Sequence, residues 1–95
     1  AAILDLVQTI PKEIDWALQV DGHTDNLPIS NPVFPSNWEL SAARAASVVK
    51  YMISKGVPAN RLVAAGYGEF QPIETGTDEA SRQKNRRIEL KLTNR

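Results

Sequence analysis

The sequence predicts an α/β fold in which a mixed β-sheet packs against helices. Apolar residues recur at three- to four-residue spacing in some segments and at every second position in others. The two kinds of segment alternate along the chain as helix, strand, helix, strand, helix, strand. Helices between strands imply crossover connections and a sheet covered by helices. Residues 1–95 form one domain, because so short a chain has no room for a second core.

The first third of the chain predicts a helix, a strand and a long loop. Residues 2–10 place four aliphatic side chains on one helical face, and Pro11 ends that helix. Apolar and polar residues then alternate over residues 14–20, which predicts a strand with one buried face, and Gly22 ends the pattern. Residues 22–36 hold three prolines among Asn and Ser and predict a loop. Ordered loops of this length often carry function.

A second helix is predicted over about residues 37–55. Ser36 is a typical N-cap, and Glu39 three residues later completes a capping box. An apolar stripe at helical spacing follows, and Gly56 is placed to end the helix.

The rest of the chain predicts two strands and a short helix. In order these are a strand at residues 62–67, a loop at 68–76, a helix capped by Thr77 or Asp78 and ending near Asn85, and a closing strand at 88–92.

The charge balance excludes some partners. Eleven basic residues balance eleven acidic ones, so no global field attracts nucleic acid or anionic lipid. A basic run over residues 82–87 lacks any nucleic-acid-binding motif around it, so we expect no nucleic-acid partner. A neutral chain can still bind a ligand that carries separated charges.

The start of the sequence indicates a fragment. The chain begins at Ala1 without an initiator methionine, and apolar residues recur at helical spacing from its first residues. No apolar run approaches the roughly 18 residues that cross a bilayer. We therefore expect any membrane segment to lie upstream.

The end of the first strand carries the first candidate site. Asp21, His23 and Asp25 alternate there and would share one face if the strand continued, which is a geometric basis for a metal site. The chain has one histidine and no cysteine, however, so we expect neither a metal nor a cofactor. The alternative is that His23 and Thr24 hydrogen-bond the loop.

Arg44 is the second candidate, early in the helix at residues 37–55. Free N–H groups and the helix dipole favour an anion at a helix N-terminus, and a guanidinium adds a fork of donors that fits a carboxylate. The alternative is a solvated arginine, or one paired to Glu39 or Asp25. The chain has no G-x-S-x-G motif and no Cys–His pair, so we expect no enzyme.

Four separated motifs in this sequence resemble the OmpA-like peptidoglycan-binding domain, and the second resembles its MotB-type subgroup most closely. The motifs are Gly22-His23-Thr24-Asp25-Asn26, Ser36-Asn37-Trp38-Glu39-Leu40-Ser41-Ala42-Ala43-Arg44-Ala45, Gly66-Tyr67-Gly68-Glu69 with Pro72, and Asn85-Arg86-Arg87-Ile88-Glu89. The resemblance runs from about Ile14 to Leu92. The family's first strand is not evident in this sequence, and the loop after Asp25 is longer than in many members.

The resemblance implies a ligand and a set of residues that bind it. The implied ligand is the free end of diaminopimelate in the wall peptide, with Asp25 on its ammonium and Arg44 on its carboxylate. Four further positions match pocket residues of the family: Thr24, Asn37, Leu40 through its backbone, and Arg87 on the acid-binding side. The resemblance also implies a periplasmic domain of a membrane-anchored bacterial protein. The alternative is an assembly domain that forms a homodimer or docks to a motor or envelope partner, and a weaker one is a metal-dependent hydrolase.

Overall fold

The computed structural model describes Thr9 and residues 15–94. The helix predicted at residues 2–10 lies outside these residues except for Thr9, as does the predicted strand start at residue 14. The elements are β1 (Trp16–His23), α1 (Asn37–Ser54), a 3₁₀ turn (Ala59–Arg61), β2 (Leu62–Gly66), α2 (Glu79–Asn85) and β3 (Arg87–Asn94).

The three strands form a mixed sheet in the order β2-β1-β3. β1 is central, runs parallel to β2 and antiparallel to β3. The connection from β1 to β2 passes through α1, as a parallel pair requires. The predicted α/β class with a mixed sheet and packed helices is confirmed.

The core lies between α1 and one face of the sheet. Leu18 and Val20 of β1 are 1% and 0% exposed and pack with Ala45 and Met52 of α1. The prediction that β1 has only one buried face is wrong, because Asp21, which points away from α1, is also fully buried. Gln19 of the same strand and Lys91 of β3 contact its carboxylate.

Gly22 lies inside β1 and does not end it, contrary to the sequence prediction. It pairs with Gly66 of β2 and Ile88 of β3. A Cβ atom at Gly22 would lie 2.1 Å from the Ser41 carbonyl oxygen, and one at Gly66 would lie 2.7 Å from the Ala42 nitrogen. Glycine is needed at both positions because the backbone of α1 approaches the sheet closely there.

The predicted ends of α1 are confirmed. Ser36 is the N-cap, and its Oγ accepts a hydrogen bond from the Trp38 N–H at 3.2 Å. The Glu39 carboxylate accepts from the Ser36 hydroxyl, at 2.6 Å. At the other end Gly56 has φ +100°, a conformation that favours glycine, and closes the helix. Among the described residues no helix has the length and apolar character needed to cross a bilayer.

Asn85, the last residue of α2, holds the preceding loop. Its Oδ1 accepts from the Ile73 and Glu74 N–H groups, and its Nδ2 donates to the Glu74 carbonyl. The side chain is buried, so its amide replaces water as the hydrogen-bond partner of these three backbone groups. Asn85 therefore ties the loop at residues 73–74 to the end of α2, directly before Arg86.

Replacing Asn85 with Ala should lower the free energy of unfolding by about 1–3 kcal/mol, because three backbone groups lose their partner. Urea unfolding measures this loss. Gln83→Ala, at an exposed position of the same helix, is the matched control and should change stability by less than about 0.5 kcal/mol. Equal losses in the two variants would contradict this role of Asn85.

Candidate functional site

An open cavity of about 210 Å³ lies where β1 ends and α1 begins. Ligands of α/β proteins commonly bind at the carboxyl ends of sheet strands. Three parts of the chain line the cavity: the loop after β1, one face of α1, and the residue before β3. The lining residues are Thr24, Asp25, Leu27, Pro28, Ile29, Asn37, Leu40, Arg44 and Arg86.

Asp25 supplies the one carboxylate of this cavity lining. Its side chain is 12% exposed, so it is largely removed from water. The Leu27 N–H donates to Oδ1 at 3.0 Å, and the Arg86 guanidinium donates to Oδ2 at 2.7 Å. Each carboxylate oxygen accepts about two hydrogen bonds, so both retain capacity for a ligand.

Thr24 and Asn37 fix the backbone around Asp25. The Thr24 N–H donates to the Gly68 carbonyl at 2.9 Å, and its hydroxyl donates to the Asp25 carbonyl. The Asn37 amide donates to the carbonyls of Asp25, at 3.4 Å, and Leu27, at 3.1 Å. Both side chains are buried. The start of the loop is therefore tied to the start of α1.

Arg44 lines the cavity from α1. It lies one turn beyond Leu40 and two beyond Asn37, on the same helical face. Arg44 is exposed, and no carboxylate in the described part of the chain lies within ion-pair distance of it. Neither alternative pairing forms, because Glu39 accepts from Ser36 and Asp25 from Arg86. The Arg44 guanidinium is therefore available to an anion.

Leu40 lines the cavity, but its N–H donates to the Ser36 carbonyl at 3.2 Å. The family resemblance implied that Leu40 binds the ligand through its backbone, but the structure uses the Leu40 N–H in a hydrogen bond of the helix. The contribution of Leu40 to the cavity wall is its apolar surface.

Arg86 reaches the cavity, whereas Arg87 does not. Arg87 donates to Glu89 and to the carbonyls of Gln71 and Asn85. The two arginines separate because successive residues of an extended chain point to opposite sides. Sequence reasoning selected Arg87 and did not assign Arg86. The signal that could have separated them is the register of β3 against β1, which a single sequence does not contain.

Arg86 is the second guanidinium of the cavity lining. Arg86 bridges Asp25 and Glu79, at 2.7 and 2.6 Å. These two carboxylates, Glu79 first, raise the pKa of the Arg86 guanidinium. With Arg44 the cavity holds two guanidiniums and one carboxylate. This arrangement suits a ligand that presents a carboxylate to the arginines and an ammonium to Asp25.

The structure does not assemble the metal ligands that the sequence suggested. β1 ends at His23, and Asp25 then turns toward α1 and Arg86. Asp21 and His23 lie on the opposite face of the sheet, where the third candidate ligand beside them is Glu89 of β3. The trio of Asp21, His23 and Asp25 is therefore corrected to Asp21, His23 and Glu89.

His23 is almost fully buried on that face. Its ring stacks on Tyr67, with ring centroids 5.1 Å apart. Burial and, second, the nearby Arg87 guanidinium lower the pKa of His23 below 6.5. The folded state therefore favours the neutral imidazole.

These observations define a small α/β domain with an acid–arginine cavity at one end of its sheet. The chain belongs to the OmpA family, whose family model matches residues 1–86.

Two curated relatives come from Bacillus subtilis. An uncharacterized protein, YtxE, is 45% identical over 86 residues, which are 90% of this chain and 34% of the relative. Motility protein B is 42% identical over 72 residues, which are 75% of this chain and 28% of the relative. The chain thus spans about a third of the length of these proteins.

Solved structures share the fold over nearly the whole chain. The C-terminal domain of Helicobacter pylori MotB superposes with a TM-score of 0.87 at 34% identity, covering 99% of this chain and 70% of that one. A longer piece, described as the periplasmic domain of the same protein, gives 0.85 at 35% identity, with coverages of 97% and 56%. The cell wall anchor of the T6SS from Pseudomonas aeruginosa gives 0.78 at 33% identity, with coverages of 97% and 61%.

The lowered pKa of His23 predicts how stability changes with pH. The unfolded chain takes up a proton near pH 6.5, whereas the folded state does so only at lower pH. This contribution to stability is complete above about pH 6.5 and is lost as the pH falls toward the folded-state pKa. The free energy of unfolding should therefore decrease as the pH falls below about 6.5, by at most about 1.4 kcal/mol per pH unit.

Urea unfolding at a series of pH values measures this slope. His23→Gln removes the single histidine of the chain and should flatten the slope, whatever it does to stability at neutral pH. An unchanged slope in the variant would contradict the assignment to His23.

Proposed function

We propose that this domain binds peptidoglycan non-covalently, through the free end of a diaminopimelate side chain in the wall peptide. The observation that carries the proposal is the cavity that joins Asp25, Arg44 and Arg86. The free end of diaminopimelate is a zwitterion, with an ammonium and a carboxylate on one carbon. A neutral chain with a local arrangement of acid and arginines matches such a ligand without attracting polyanions.

In this proposal the two charges of the ligand bind at opposite sides of the cavity. The ammonium binds the free lone pairs of Asp25, whose orientation Leu27 and Arg86 hold. The carboxylate binds Arg44, which has no partner of its own in the described residues, and extends toward Arg86. Thr24 and Asn37 act indirectly, since their side chains hold the loop that carries Asp25.

Binding alone explains this chemistry, so we propose no catalytic role. Asp25 and Arg86 are already paired, and such a pair orients charge and does not activate a nucleophile. No bond of the ligand needs to be made or broken for the domain to hold the wall.

The biological role we propose is anchoring of a longer, membrane-linked bacterial protein to the wall from the periplasm. The relatives support this role: one solved neighbour is described as a cell wall anchor, and another as a periplasmic domain of MotB. The similarity to Motility protein B favours a flagellar-stator type of parent protein. If the parent is a homodimer, two cavities on one molecule would raise the effective affinity for the wall.

Asp25→Asn and Arg44→Ala should each reduce co-sedimentation with purified sacculi, because each removes one charged contact to the ligand. Loss of one such contact corresponds to roughly 1.5–3 kcal/mol, or on the order of ten- to hundredfold in affinity. Arg86→Ala should reduce binding as well, since it removes both a guanidinium of the cavity and the partner of Asp25.

Two variants outside the cavity are matched controls. Asp15→Asn changes an exposed carboxylate that pairs with Arg61, and Lys50→Ala removes an exposed cation of α1. Both should co-sediment like the parent chain. If Asp25→Asn and Arg44→Ala also did so while remaining folded, the cavity would not be the wall-binding site.

A pair of wall peptides tests the specificity for diaminopimelate. When the peptide bonds engage one end of the residue, diaminopimelate still offers an ammonium and a carboxylate, whereas lysine offers an ammonium alone. The diaminopimelate peptide should displace the domain from sacculi at lower concentration than the lysine peptide. In Arg44→Ala the two peptides should become nearly equal, because the carboxylate has lost its main partner. Equal competition against the parent chain would contradict the proposed role of Arg44.

A further inference from the structure

The face of the sheet turned away from α1 carries a ladder of polar residues across β1 and β3. Residues paired across antiparallel strands lie side by side on one face. Two carboxylates are direct neighbours in this ladder, an arrangement that is destabilising unless positive charge lies between or beside them. The three pairs are Gln19 with Lys91, Asp21 with Glu89, and His23 with Arg87.

One ligand atom from each of Asp21, His23 and Glu89 lies within 4.8 Å of the other two. The Nε2 atom of His23 is 3.9 Å from Glu89 Oε1, which is too far for a hydrogen bond. The side chain of Asp21 is fully buried, and that of His23 is 5% exposed. The geometry thus brings one imidazole and two carboxylates around a common point.

His23 supplies an independent indication of a ligand. Both of its ring nitrogens are buried, and neither has a hydrogen-bond partner among the described residues. Buried polar atoms are almost always paired, so an unpaired imidazole next to two carboxylates indicates a group that the chain itself does not provide. Neutral imidazole and carboxylate are the ligands that zinc-type divalent ions accept.

The outer oxygens of the two carboxylates are already held by neighbouring side chains. Gln19 Nε2 donates to Asp21 Oδ1 at 2.7 Å, and Arg87 Nε donates to the Oε2 atom of Glu89. Contacts of this kind orient metal ligands in known sites. The other two carboxylate oxygens are Glu89 Oε1, which lies 3.9 Å from His23 Nε2, and Asp21 Oδ2, which pairs with Lys91.

We propose that Asp21, His23 and Glu89 form a binding site for a divalent transition-metal ion of the zinc type. Three protein ligands leave a fourth position for water. The site is separate from the proposed wall-binding cavity, because it lies on the other face of the sheet and shares no residue with the cavity lining. A bound ion would join the last residues of β1 to β3.

Lys91 determines how strongly the ion binds. Its ammonium lies 2.8 Å from Asp21 Oδ2 and 5.3 Å from the centre of the Tyr67 ring. It thus supplies positive charge at the place where the ion would bind, and the ion must displace it. The Lys91 side chain is 52% exposed and that of Glu89 is 40% exposed, so the site opens to solvent on this side. Long lysine side chains move readily into water, which leaves the three ligands in place.

Calorimetric titration of the tag-free chain with zinc chloride tests the proposal. We expect one ion per chain, together with a rise in Tm that a chelator reverses. Lys91→Met should bind zinc at least about tenfold more tightly, because it removes the competing charge and keeps most of the apolar stem. His23→Gln and Glu89→Gln should each bind at least about tenfold more weakly, since even residues that only support metal ligands change affinity by this much.

Glu89→Gln keeps the test valid if His23→Gln fails to fold, because Glu89 is near the surface. Glu74→Gln, an acidic position on the loop before α2, is the matched control and should bind zinc like the parent chain. A cobalt titration should add ligand-field absorption in the parent, and less in Glu89→Gln at the same cobalt concentration. Absence of saturable zinc binding in both the parent and Lys91→Met, or equal binding in the parent and Glu89→Gln, would overturn the proposal.

Discussion

The close approach of α1 to the sheet is the constraint on which the rest of the structure depends. The helix backbone at Ser41 and Ala42 lies so near β1 and β2 that Gly22 and Gly66 have no space for a side chain. Ser41 uses this proximity, since its hydroxyl donates to the Trp38 carbonyl and accepts from the Gly68 N–H. The first turns of α1 are therefore fixed against the strand ends, where the cavity lies.

The same constraint explains which parts of the fold could be predicted from the sequence. The helix cap at Ser36 and the stop at Gly56 depend on local chemistry, and both were confirmed. Gly22 was misassigned as a strand end, because glycine is required there by the close approach of Ser41 of α1, which lies 19 residues further along the chain. The burial of Asp21 was missed for a similar reason, since its ion-pair partner Lys91 lies in β3, 70 residues further along the chain.

The cavity was predictable in part, and the limit has a physical origin. Asp25 and Arg44 were selected by motif, and the structure places both in one lining. The choice between Arg86 and Arg87 depends on which side of an extended chain faces α1. A shift of one residue exchanges the two faces of a strand, and only the pairing with β1 fixes it. The structure directs Arg86 to Asp25 and Arg87 to Glu89.

The two arginines also show how a chain of zero net charge builds two sites of different character. Arg86 pairs with Asp25 and Glu79, whereas Arg44 has no carboxylate partner among the described residues and favours a carboxylate in the cavity. Arg87 neutralises part of the charge of the acidic pair on the other face, where the two carboxylates would otherwise repel each other.

Both sites meet at the end of β1, because His23 is its last residue and Asp25 follows two residues later. Strand alternation places His23 on the polar ladder, and the turn after it carries Asp25 to the opposite side. The end of this one strand therefore separates the proposed wall-binding cavity from a cluster of one imidazole and two carboxylates.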